Sequence, residues 1–244
     1  MALKAILFDL DGTLVPMDQD VFVGDYFKRI STKLAPYGYE PKQFVDTIWK
    51  GTYAMIKNNS DKCNEQIFWD YAKTVYGEKI LADKPLFDEF YETEFDKVKA
   101  VCGFNPQAAK TVRKLKEMGY KVALATNPIF PEHATRWRIN WAGLTPDDFE
   151  FYTTYENINS CKPNPAYYIE CAARIGCKPE ECLMVGNDVG DDMVAESIGM
   201  KVFLLTDCLI NKNNEDISNY PNGSFDELME YIMHNAQLHN RKVW

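Results

Sequence analysis

The residues best suited to chemistry stand just after short apolar runs. Asp9 and Asp11 sit in Phe8-Asp9-Leu10-Asp11-Gly12-Thr13-Leu14. Thr126 and Asn127 follow Lys121–Ala125, and Asp188, Asp191 and Asp192 follow Cys182–Val185 and Gly186-Asn187. Lys162 lies in the loop Ser160-Cys161-Lys162-Pro163-Asn164-Pro165. Carboxylates supply the hard oxygen ligands that Mg²⁺ takes. A metal and a lysine together neutralise charge on a transferring phosphoryl group. Taken singly, each segment reads as a turn former, a helix cap or a solvated charge. Their joint occurrence in chain order points to one phosphoryl site.

An EF-hand fails on spacing. Its glycine position falls on Leu14 counting from Asp9, and on Met193 counting from Asp188. The chain has no GxxxxGK[ST], GxGxxG, GxSxG or HExxH. His133, His234 and His239 form no ligand cluster and read as surface residues.

The apolar runs that end at these residues read as buried parallel strands: Lys4–Asp9, Lys121–Ala125, Cys182–Val185, Lys201–Leu205 and the weaker Phe149–Thr153. Helical patterns separate them, near 105–119, 131–142, 164–176 and 190–199. A last helix over about 224–238 opens with Ser224 and Glu227 in capping-box spacing. Alternating strands and helices predict an α/β fold, a doubly wound, Rossmann-like parallel sheet. In such a sheet, ligands bind beyond the carboxyl ends of the strands, where the candidate residues stand.

One stretch interrupts the alternation. Over 17–101, apolar residues recur at helical spacing in Val21–Leu34, Gln43–Lys57, Glu65–Val75 and Leu86–Val98. This predicts an inserted α-helical cap domain at 17–101 on a core of 1–16 and 102–244. Its hinges fall near Val15–Asp18 and Val101–Gly103. A lid there closes over the phosphoryl site and limits the substrate to a small phosphorylated metabolite, with Met17, Phe22 and Lys28 as candidate contacts.

The composition narrows the class. In 244 residues, 46% are hydrophobic and 26% charged, which suits a globular protein. Lys plus Arg is 27 against 36 Asp plus Glu, a net charge of −9, which disfavours binding of nucleic acid. Seven cysteines without a CxxC read as reduced thiols of a cytoplasmic protein rather than a zinc or disulfide framework. The opening residues do not read as a signal peptide, and no apolar stretch is long enough to span a membrane. The aromatics Trp137, Trp141, Phe149, Phe151, Tyr152, Tyr155, Tyr167 and Tyr168 read as packing residues, compatible with a monomer or a homodimer.

The motif Phe8–Leu14 resembles the first motif of the haloacid dehalogenase-like hydrolase superfamily. Ala125-Thr126-Asn127 resembles its second motif and Lys162 its third. Val185–Asp192 resembles the fourth, with Gly186-Asn187-Asp188 where Gly-Asp is commoner. The insert resembles that family's helical cap. The resemblance implies a Mg²⁺-dependent phosphomonoesterase in which Asp9 forms an aspartyl-phosphate and Asp11 protonates the leaving oxygen, then activates water. Gly12, Thr126, Asn127 and Lys162 would bind the phosphoryl group. Mg²⁺ would bind the Asp9 side chain, the Asp11 carbonyl and Asp188, with Asp192 supporting through water and Asn187 a possible sharer. The alternatives are a sugar phosphomutase and a catalytically silent binding module. Thr13 resembles phosphatases more than mutases.

Overall fold

The structure, a computed structural model, describes residues 2–241, with side chains through residue 235. Six parallel strands form one sheet in the order β3-β2-β1-β4-β5-β6. They are β1 Ala5–Phe8, β2 Lys121–Leu124, β3 Phe151–Tyr152, β4 Cys182–Gly186, β5 Lys201–Leu205 and β6 Asn222–Gly223. In the central pairs Phe8 stands beside Leu124 and Val185. The strand order reverses between β1 and β4, so the crevice at that switch point opens beside Asp9.

Both faces of the sheet are covered, which is why the central strands β1 and β4 are buried at every residue. Ile6 and Phe8 of β1 join one buried cluster, and Ala5 and Leu7 join the other. After the first strand come α1 Gln19–Leu34, α2 Pro41–Ile56, α3 Asn64–Tyr76, α4 Glu78–Ala82 and α5 Lys84–Thr93. The core continues with α6 Pro106–Glu117, α7 Glu132–Trp141, α8 Pro165–Arg174 and α9 Phe225–Arg241. Ser224 and Glu227 meet as expected at the start of α9: the Ser224 amide donates to Glu227 at 2.9 Å.

Several expected elements differ. The window Leu86–Val98 divides into α5 and a 3-10 turn, Phe95–Val101. The stretch 190–199 is a 3-10 helix, Met193–Ile198, because Asp188 Oδ1 captures the Gly190 and Asp191 amides in a turn before it and left-handed Gly199 stops it. The strand expected over Phe149–Thr153 pairs only at Phe151–Tyr152. His133 and His234 are exposed, whereas the His239 side chain lies outside the described residues.

Between Met17 and Val101 the described residues contain helices and no strand. This helical segment shares one buried cluster with the sheet, through Phe22, Tyr26, Phe95, Phe130 and Trp141 among others. Phe95 stacks on Trp141 at 5.5 Å between ring centroids and 13° between planes. Where the chain leaves and rejoins the sheet, the Gly103 amide donates to the Pro16 carbonyl at 2.7 Å. Asn64, at the start of α3 and fully buried, aims its amide nitrogen at the Pro128 carbonyl (3.2 Å) and Cys161 Sγ (3.2 Å). The helical segment thus grips both loops that follow β2 and precede α8.

Candidate active site

Asp9 is the first residue after β1, and its amide donates to the Val185 carbonyl at 2.8 Å, so the ladder itself fixes it. The chain then folds back: the Gly12 amide reaches the Val15 carbonyl and the Val15 amide reaches the Leu10 carbonyl. Gly12 holds a φ of +83° and lies so close to Asn187 that a Cβ would stand 2.3 Å from its Nδ2. No other residue fits there without moving Asn187.

Lys162 is the centre of the charge arrangement. Its Nζ donates to Asp9 Oδ1 at 2.7 Å and to Asp192 Oδ1 at 2.6 Å, in a setting where Lys162 is 2% exposed. Burial, the largest single influence, opposes the ammonium charge, but Asp192 and Asp9 outweigh it and hold its pKa well above the ordinary value. Burial pushes the Asp192 carboxyl up, and the Lys162 charge pulls it back. Asp192 Oδ2 accepts from the Asp188 amide at 3.0 Å. It passes so close over Gly186 that a Cβ there would lie 2.0 Å from it. Asp192 therefore orients Lys162 directly, a contact the spacing did not suggest.

The hydroxyl of Thr13 lies 3.1 Å from Asp9 Oδ2 and 3.0 Å from Asn187 Oδ1, and its one proton serves either. Asn187 Nδ2 donates to the Cys208 carbonyl at 2.6 Å, so both polar atoms of Asn187 are engaged by protein. Thr126 is positioned through its carbonyl, which accepts from Thr153 Oγ1 at 2.6 Å and Tyr167 OH at 2.7 Å. Asn127 Oδ1 is buried with no partner among the described residues.

Asp11 meets Arg138 of α7, a residue that sequence reasoning missed. Arg138 Nη1 donates to Asp11 Oδ2, and Arg138 is 1% exposed. Burial raises the Asp11 pKa, against the pull of the Arg138 charge. Nothing in the spacing of α7 singles Arg138 out; its guanidinium packs over the Phe130 ring at 4.6 Å.

These residues line one cavity of about 150 Å³: Asp9, Asp11, Thr126, Asn127, Lys162, Asn187, Asp188, Asp191 and Asp192. The remaining wall is largely apolar: Met17, Phe22 and Val23 from the helical segment, with Ile129 and Phe130. Gln19 and Lys212 stand there too, whereas Lys28 does not reach the cavity. Five carboxyl groups thus face two ammonium groups in the lining. Among the described residues, no three His, Cys, Asp or Glu side chains form a ready metal cage. Two carboxylates with a backbone carbonyl would fit Mg²⁺, which keeps several waters, and a divalent ion would offset the excess acid.

The family model for haloacid dehalogenase-like hydrolases matches residues 3–199. The glyceraldehyde 3-phosphate phosphatase of Methanothermobacter thermautotrophicus is 27% identical over 226 residues, covering 88% of this chain and 94% of that protein. The pyrophosphatase PpaX of Bacillus velezensis is 24% identical, covering 81% and 80%. A crystal structure of a predicted phosphoglycolate phosphatase from Haemophilus somnus shares the fold, with a TM-score of 0.58, 21% identity and coverage of 94% and 97%. So does β-phosphoglucomutase from Clostridium difficile, with a TM-score of 0.57, 17% identity and coverage of 97% and 98%. With the family model spanning most of its length, the chain belongs to the haloacid dehalogenase-like hydrolases.

Proposed function

We propose that the protein is a Mg²⁺-dependent phosphomonoesterase that works through an aspartyl-phosphate on Asp9. The observation that carries this reading is the Lys162 ammonium held between Asp9 and Asp192 at the floor of the cavity, with Asp11 two residues beyond Asp9. A carboxylate of Asp9 attacks phosphorus while Lys162 offsets the charge on the phosphoryl oxygens. Thr126 and Asn127 line the cavity beside Asp9 and Lys162, whereas Gly12 stands outside the lining and shapes the turn that carries Asp11. Asp11 gives its proton to the departing oxygen, then takes one from the water that releases phosphate from Asp9.

Mg²⁺, when bound, would draw charge from the phosphoryl oxygens. Its holders would be the Asp9 side chain, the Asp11 carbonyl and Asp188. Asn187 is the poorer candidate, because Thr13 and Cys208 engage both its polar atoms. Asp192 supports the site through Lys162 and the Asp188 amide.

The substrate is a small phosphorylated metabolite. The cavity, about 150 Å³, is walled in part by Met17, Phe22 and Val23 of the helical segment, which suits a small ester. The relatives are named for pyrophosphate and glyceraldehyde 3-phosphate, both small. The helical segment 17–101 acts as the cap, and Met17, Phe22 and Val23 contribute its part of the wall. A cytoplasmic location accords with seven free cysteines. Among the described residues, no helix is long and apolar enough to cross a membrane.

A screen of phosphomonoesters with Mg²⁺ tests the reading. Release of phosphate from a small ester by the wild type, abolished in Asp9→Asn, is the expected result. Undiminished release by Asp9→Asn contradicts it.

A further inference from the structure

Asn64 belongs to the helical segment, yet its donors are spent on loops of the sheet. It is the first residue of α3 and is fully buried. Its Nδ2 faces three acceptors: the Pro128 carbonyl at 3.2 Å, the Ser160 carbonyl at 3.4 Å and Cys161 Sγ at 3.2 Å. The two protons of the amide are shared among them. Its Oδ1 accepts from Asn58 Nδ2 at 3.1 Å, and Asn58, also buried, closes the turn before α3 by donating to the Lys62 carbonyl at 2.9 Å.

The backbone makes the same connection. The first amides of a helix need partners from outside it. Cys63, the N-cap of α3, offers no side-chain acceptor. Instead the Asn64 amide donates to the Ile158 carbonyl at 3.0 Å, and the Glu65 amide to the Tyr155 carbonyl at 2.8 Å. The start of α3 is thus capped by the loop between β3 and α8. The partners of the Asn64 side chain adjoin the phosphoryl-site residues: Pro128 follows Asn127, and Cys161 precedes Lys162. Undocking α3 would leave these buried donors and acceptors unpaired.

We propose that Asn64 is a positioning residue for phosphoryl binding. From the helical segment it sets the spacing between the loop of Thr126 and Asn127 and the loop of Lys162, so the phosphoryl grip is complete only while α3 is docked. This rests on the phosphoryl site proposed above. Asn64 stands outside the cavity lining and acts through the two loops. The coupling runs both ways: a docked α3 favours phosphate, and bound phosphate favours a docked α3.

The test uses the full chain with Mg²⁺, and inorganic phosphate as the probe. Asn64→Ala should raise the Ki of phosphate about 10-fold and lower kcat/KM about 10–100-fold. The loss should be the same for an alkyl phosphate and for 4-nitrophenyl phosphate, because the phosphoryl group rather than the leaving group is misplaced. Trp69→Phe is the control for loosened packing. It removes a different bond between α3 and the sheet's loops, from Trp69 Nε1 to Tyr155 OH at 3.4 Å, and should lower Tm without moving the phosphate Ki. In the wild type, saturating phosphate should slow hydrogen exchange of the Asn64 and Glu65 amides. It should leave unchanged the Gly119 amide, just before β2 at the opposite end of the sheet.

An unchanged phosphate Ki in Asn64→Ala, with only Tm lowered, overturns the proposal, and so does an equal rise in Ki in Trp69→Phe. If Asn64→Ala does not fold, the exchange measurement decides: slowing at Asn64 and Glu65 supports the proposal, and no slowing overturns it. A wild type that neither binds phosphate nor releases it from any ester overturns the phosphoryl site itself, and this proposal with it.

Discussion

Asp192 Oδ1 accepts a hydrogen bond from Lys162 Nζ at 2.6 Å, and neither side chain is more than 2% exposed. Removing one member of a buried pair costs about 3–5 kcal/mol when it strands the other charge, and less here because Lys162 keeps its contact with Asp9. Asp192→Ala should therefore lower Tm by roughly 5 °C, measured by calorimetry, and lose most activity. Asp192→Asn keeps the shape and should lose less stability than Asp192→Ala. A Tm unchanged in both variants would mean the pair contributes nothing.

Gly186→Ala tests the same arrangement from the backbone side. A Cβ there would meet Asp192 Oδ2 at 2.0 Å, so Asp192 must move and take Lys162 with it. We expect a fall in kcat and in Tm together. Wild-type kinetics in this variant would show that the position of Asp192 is immaterial to turnover.

Metal dependence separates two neighbouring residues. Chelation should stop phosphate release and Mg²⁺ restore it, while Ca²⁺, with its looser coordination, should inhibit. Asp188→Ala should raise the Mg²⁺ concentration needed for half-maximal rate far more than Asn187→Ala. Asn187→Ala should instead lower stability, because Asn187 joins Thr13 to the Cys208 carbonyl. The opposite ranking in Mg²⁺ titrations would move the ligand to Asn187.

Glu156 sets a pH dependence of stability away from the site. Its Oε1 accepts from the Glu132 amide at the start of α7, and its Oε2 is buried with no partner among the described residues. Burial raises its pKa above the ordinary carboxyl value. The folded state thus holds this proton after the unfolded state has released it. Stability from this group is lost as pH rises from the ordinary carboxyl range through the raised value. Glu156→Gln keeps the acceptor and removes the charge. It should raise Tm at pH 8, with the gain shrinking towards pH 4. A gain that is flat with pH, or absent, contradicts the assignment.

The four longer strands were legible because each is an apolar run buried on both faces and stopped by a polar turn. β6, with only Asn222 and Gly223, carries no such signal. The helix expected at 190–199 became a 3-10 helix because Asp188 draws the preceding amides to itself, a local competition that periodicity does not register. Asp9, Asp11, Thr126 and Asp188 could be nominated from their places after strands, and Lys162 from its loop just before α8. Arg138 and the Asp192–Lys162 contact could not, since both arise from which faces of α7 and the 188–192 turn are pressed against the sheet. Excising residues 18–100 to test the lid would also uncover Phe130 and Trp141, whose partners Phe22 and Phe95 lie in that part. Phe22→Ala is the gentler probe of the cavity wall, and it should relax selectivity among small esters in kcat/KM.

The most direct measurement is acid-quenched mass spectrometry of Asp11→Asn after mixing with Mg²⁺ and 4-nitrophenyl phosphate. This ester needs no proton for departure, whereas release of the intermediate needs the base that the variant lacks. The account predicts that a phosphoryl group accumulates on Asp9 and is absent from Asp9→Asn. Turnover without any adduct, or an adduct on another residue, would contradict it.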